Sequence, residues 1–156
     1  WTLLSFTAFD SNHDFNGLML LCMFIIIWVS DVGAYLFGST LGQKFGPKLF
    51  PTISPHKSWV GCIGGFACAL GAGYGMHCLD WLPFSELAWY HCLAIAAIMN
   101  ITGVYGDLIE SQWKRYYGVK DSGNIIPGHG GMLDRFDSAL VAIPAATVYM
   151  MCFDIL

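Results

Sequence analysis

Charge is scarce in this chain. Only 12% of its 156 residues are Asp, Glu, Lys or Arg, whereas 56% are hydrophobic and 15% aromatic. A soluble domain carries about a quarter charged residues, so this sequence lacks the polar surface that a water-facing fold requires. The six cysteines form no CxxC and no Cys/His ligand spacing, which argues against a zinc site; they sit in or beside apolar tracts and read as reduced thiols packed among helices or lipid. Nor is a signal peptide expected in these residues: the chain opens on Trp1, without an initiator Met or a basic leading segment. That start predicts a fragment whose N-terminal part is missing, a single membrane-embedded domain over residues 1–156. No nucleic-acid partner is expected; the lipid bilayer is.

The apolar residues are gathered into four tracts, roughly Gly17 to Phe37, Ser58 to Leu79, Leu87 to Leu108 and Ala139 to Phe153. Bilayer-length apolar tracts read as transmembrane helices, and only helices satisfy their own backbone in lipid. The expected fold class is therefore an all-α polytopic membrane protein with about four spans, the last one short for the ~20 residues a span needs. Four spans place all seven Lys and Arg on one side: Lys44, Lys48 and Lys57 in one loop, Lys114, Arg115, Lys120 and Arg135 in the other. Asp10, Asp14, Asp80, Glu86 and Asp154 fall opposite. The positive-inside rule then puts the two basic loops in the cytoplasm, facing inward from the inner membrane if the source is bacterial. Gly61-x-x-x-Gly65 and Gly71-x-x-x-Gly75 suit close helix contact, within the chain or across a homodimer.

Three clusters of polar residues interrupt the tracts. Asp31-Val32-Gly33-Ala34-Tyr35 puts a carboxylate at the end of the first span, with Tyr35 one turn along the same face. Such a carboxylate is costly unless it meets a cavity, a cation or a partner. In Ser54-Pro55-His56-Lys57-Ser58-Trp59-Val60-Gly61, Pro55 favours an extended approach and Ser58 can cap the following helix. A helix start beside a Lys can seat a phosphate, or the Trp and Lys can anchor at the headgroups. The third cluster is the densest. Asp107, Glu110, Ser111 and Lys114 follow i, i+3, i+4, i+7 spacing and share a helix face. A glycine-rich turn, Pro127-Gly128-His129-Gly130-Gly131, then leads through Asp134-Arg135-Phe136-Asp137 into the fourth span. Carboxylates on two helix ends suit a hard divalent cation, glycine backbone can approach phosphate, and Lys and Arg can neutralise it. The pattern points to metal-assisted chemistry on a phosphorylated substrate at the headgroup level.

At these residues the sequence resembles the phosphatidate cytidylyltransferase (CDP-diacylglycerol synthase) family. The family signature S-x-x-K-R-x4-K-D, followed after a spacer by H-G-G-x-x-D-R-x-D, is matched by Ser111, Lys114, Arg115, Lys120, Asp121, His129, Gly130, Gly131, Asp134, Arg135 and Asp137. The Asp31 and Ser54 clusters look like family elements too, with Val60 standing where Glu is common. The resemblance implies the C-terminal catalytic half of an enzyme that makes CDP-diacylglycerol and pyrophosphate from CTP and phosphatidic acid. It also implies a Mg2+ or other divalent cation, with a second cation as an option. Under it, Asp107, Asp134, Glu110 and Asp137 are the expected metal ligands. Lys114, Arg115, Lys120, Asp121, His129 and Arg135 form the catalytic set. Asp31, Tyr35, Ser54, Lys57, Ser58, Ser111, Gly130 and Gly131 would contact substrate. The alternatives are a CTP-dependent lipid kinase of the polyprenol type and an ion-coupled transporter; the latter would place acids at mid-span and show repeats.

Overall fold

A computed structural model describes residues 7–9, 17–42, 47–50, 54–80, 83–119, 123, 131, 134 and 136–155. Four helices dominate: α1 (Leu18–Phe37), α2 (Trp59–Cys78), α3 (Trp89–Tyr116) and α4 (Asp137–Cys152). The first three are long and apolar enough to cross a membrane, and α4 is a shorter apolar helix. At 1.5 Å per residue, the 28 residues of α3 span about 42 Å, so its last turns outrun the ~30 Å hydrocarbon layer. The 16 residues of α4 reach only about 24 Å. Pro144 lies inside α4 and removes one backbone donor from it.

The tracts fold as helices because each has a buried stripe at helical spacing. In α1 that stripe is Met19, Cys22, Met23, Ile26, Ile27, Ser30 and Gly33. It meets the glycine side of α2, where a Cβ on Gly61 would stand 2.8 Å from the Ala34 carbonyl oxygen and one on Gly65 2.9 Å from that of Ser30. The Gly61–Gly65 pair thus serves packing within the chain, as its spacing suggested. Gly71 and Gly75 do not: a Cβ at either would meet nothing within 4 Å. On the other side, α4 lays Ser138, Val141 and Ala142 against Gly103 and Gly106 of α3, and Ile95, Met99, Ile143 and Met150 join the buried core. Large apolar side chains such as Trp28 (60% exposed) and Ile63 (65%) remain on the outside, as a lipid solvent permits.

A small β ribbon departs from the all-α expectation. A π-helical turn, Gly38–Gly42, continues α1, and the chain then pairs β1 (Lys48–Phe50) with β2 (Ser54–Ser58) in antiparallel fashion, Lys48 opposite Ser58 and Phe50 opposite Ser54. Pro47 and Pro55 keep this segment extended. Backbone donors and acceptors here lie outside any helix, so pairing them with each other leaves fewer unsatisfied near the membrane surface. The ribbon ends where α2 begins, with Ser58 as N-cap: its Oγ accepts from the Gly61 N–H at 3.1 Å.

Candidate active site

The ribbon, the far end of α3 and the start of α4 lie on the same side of the helices, and their charges meet there. Asp107 on α3 is ion-paired with Lys57 from the ribbon and accepts from the Ser111 hydroxyl at 3.2 Å. One turn on, Lys114 Nζ sits 2.8 Å from Asp134 and 3.4 Å from Glu110. Asp134 also takes the Gly131 N–H at 2.9 Å. Asp107, Glu110, Ser111 and Lys114 therefore share the face their spacing predicted. The start of α4 can come this close because residue 106 is glycine: a Cβ there would lie 2.7 Å from the Asp137 carbonyl oxygen.

Burial pushes the Asp137 carboxyl up from the usual carboxylate range, and Asp107 adds repulsion, while the Ser138 N–H donating at 2.6 Å works against both. Glu110 is buried, and neither of its oxygens has a hydrogen-bond donor among the described residues. The Lys114 ammonium at 3.4 Å is an ion pair there and not a hydrogen bond. Even so, among the described residues no three His, Cys, Asp or Glu side chains are gathered tightly enough to hold a metal ion as they stand. The carboxylates are instead divided between two lysines.

A cavity of about 420 Å³ opens beside this cluster and runs inward between α1, α2 and α3. Lys57 and Asp107 stand at its mouth, Tyr35 and Asp31 line its α1 wall, and Ile26 and Met99 lie deeper. Ser54 and Ser58 also line it, although the Ser58 oxygen is already engaged in capping α2. Asp31 lies six residues short of the end of α1, about 9 Å inward, so it belongs to the cavity wall and not to the helix end. Arg115 is exposed beside the cluster and has no ion pair among the described residues. Lys120, Asp121, His129, Gly130 and Arg135 lie outside the described residues.

Two polar residues were not singled out from the sequence. Asn100 on α3 donates from Nδ2 to the Ser30 hydroxyl of α1 at 2.5 Å, both are buried, and both line the cavity. An amide inside an apolar tract is the only sequence signal for this pair.

Comparison with known proteins bears on the same residues. The chain is 44% identical over 148 residues to a phosphatidate cytidylyltransferase of Staphylococcus aureus strain COL, a match covering 95% of this chain and 55% of that protein. Enzymes of the same name from Staphylococcus haemolyticus strain JCSC1435 and Staphylococcus epidermidis strain ATCC 35984 match at 43% and 40% over the same length and with the same coverage. The chain thus spans about half the length of the curated relatives it matches. A model described as the cytidylyltransferase family matches residues 1–153, nearly all of the chain. With membrane-length helices, a charged cluster at one end of them and that match, this integral membrane chain belongs to the cytidylyltransferase family.

Proposed function

We propose that the protein transfers the cytidylyl group of CTP to phosphatidic acid, giving CDP-diacylglycerol and pyrophosphate, at the cytoplasmic face of its membrane. The observation that carries this reading is the cavity, whose mouth is charged by Lys57 and Asp107 and whose depth is apolar at Ile26 and Met99. One end suits phosphates and the other suits a lipid, and few soluble substrates need both. The names borne by the relatives agree with it.

In the proposed reaction a phosphate oxygen of the lipid attacks the α-phosphorus of CTP, and the bond from that phosphorus to the β-phosphate oxygen breaks. The attacking oxygen is already anionic, so no protein nucleophile is required. Catalysis then rests on alignment and on neutralising charge. Lys57 and Lys114 are the described cations placed to receive phosphates, each by exchanging a carboxylate partner for a phosphate oxygen. Arg115, Lys120, His129 and Arg135 complete the catalytic set in this proposal, with Asp121 as support. Asp31, Tyr35, Ser54, Ser111, Gly130 and Gly131 are assigned to substrate.

The chemistry of the donor set suits a divalent cation such as Mg2+, which would have to draw these carboxylates closer together than they stand. The groups of the set are hard carboxylate oxygens, and those of Glu110 are buried without a donor. Asp107, Asp134, Glu110 and Asp137 would hold it, once Lys57 and Lys114 turn to phosphate. When bound, the cation offsets the negative charge of the triphosphate and of the leaving pyrophosphate. A homodimer would pack through the open face of Gly71 and Gly75.

The test supplies the full-length protein with phosphatidic acid and CTP labelled at the α- or the γ-phosphorus. Transfer of the α-label to lipid, lost on chelation with EDTA and restored by Mg2+, is expected. Transfer of the γ-label instead would identify a lipid kinase and overturn the reading.

A further inference from the structure

The Asn100–Ser30 pair is an odd investment for a membrane helix bundle. Interhelical hydrogen bonds of this kind add little to stability, and a second such pair, His91–Tyr149 at 2.9 Å, already joins α3 to α4 away from the cavity. The Asn100–Ser30 pair is also not sealed into the core, because both of its residues line the cavity wall.

Its hydrogen-bonding capacity is only partly used. The amide of Asn100 has two N–H groups, and one goes to Ser30. The Ser30 oxygen accepts that bond and so keeps its own proton to give. Neither the second amide N–H nor the serine proton has an acceptor among the described residues. Two donors therefore remain on residues of one stretch of the cavity wall, and what they lack is an uncharged or anionic oxygen.

Depth and charge decide which. Asn100 lies seven residues from Asp107 along α3, about 10 Å further in, whereas the headgroup layer on each side of a bilayer is only about 5–8 Å thick. The pair thus sits on the apolar side of the charged mouth, the side on which the ester of a lipid lies when its phosphate is held at the mouth, and the next residue to Ser30 is Asp31, which lines the same wall. A phosphate beside Asp31 would be repelled, while the lysines that attract phosphate are at the mouth. A neutral acceptor at this level meets no such penalty.

We propose that Asn100 and Ser30 form a subsite for the glycerol-ester carbonyl of the lipid substrate, positioning it so that its phosphate reaches the mouth of the cavity. The assignment rests on the cytidylyl-transfer reading above. It makes the pair a positioning element that discriminates ester-linked from ether-linked lipids, since an ether lacks the carbonyl oxygen.

The test measures kinetics of the full-length protein in mixed micelles with diacyl phosphatidate and with its dialkyl analogue. Wild type should favour the diacyl lipid in kcat/KM by about tenfold, the worth of one net hydrogen bond. Asn100→Leu, which preserves volume but removes both donors, should bring that ratio close to one through a higher KM for the diacyl lipid. Ser30→Ala, the milder change, should shift the ratio the same way by a smaller factor. A pair that merely clamps two helices would lower activity on both lipids equally in both variants, and that result overturns the subsite. So does an unchanged ratio, or a rise in KM for CTP in place of the lipid. Failure of wild type to transfer label to either lipid would instead remove the activity reading, and this subsite with it.

Discussion

Asp107 is held by two partners of different kinds, the Lys57 ammonium from the ribbon and the Ser111 hydroxyl one turn along α3. An asparagine there keeps an oxygen for Ser111 and loses the charge that Lys57, or a metal, requires. Asp134 is similarly placed between Lys114 and the Gly131 N–H. Asp107→Asn and Asp134→Asn should each lower turnover by about a hundredfold or more, with membrane extraction and gel-filtration profiles unchanged. Near-normal turnover in either would remove that residue from the proposed ligand set. At this scale the sequence was informative wherever partners share a helix turn. Asp107, Glu110, Ser111 and Lys114 could be grouped by spacing alone, because i+3 and i+4 neighbours are fixed by the helix. Lys57 reaches Asp107 from another element, and Asn100 reaches Ser30 across 70 residues. No periodicity encodes such pairings, so they emerge only from packing.

Among the elements, the helices were legible because their apolar tracts have membrane length and their buried stripes have helical spacing. The ribbon was not, since its short strands carry prolines and little alternation; only the extended run before Ser58 could be read. The glycines of α2 show the limit of motif reading most clearly. Two Gly-x-x-x-Gly pairs look alike in sequence, but one faces α1 and the other faces outward. Gly65→Ala would drive a methyl toward the Ser30 carbonyl and Ala34, and should cost about 1–3 kcal/mol. Gly71→Ala meets open space and should be neutral, or stabilising by up to about 1 kcal/mol. Thermal unfolding of the two variants in detergent separates these outcomes; equal losses would contradict the α1–α2 contact.

For the whole molecule, the basic residues supply the test of orientation. Lys48 is exposed on the ribbon, on the same side as the carboxylate cluster. A membrane-impermeant amine reagent should modify Lys48 in inside-out vesicles and spare it in right-side-out ones. The reverse pattern would place the site on the outer face. The cavity described above has a consequence for how such an enzyme would meet its two substrates. In the proposed reaction CTP would arrive from three dimensions of water, but a lipid whose ester sat at Asn100 would never leave the two-dimensional film in which it diffuses. The rate should therefore follow the mole fraction of phosphatidate in the micelle and fall when inert detergent dilutes the surface at constant bulk concentration. A rate that tracked bulk concentration alone would mean that the lipid is drawn out through water, and that the apolar depth of the cavity has no part in its capture.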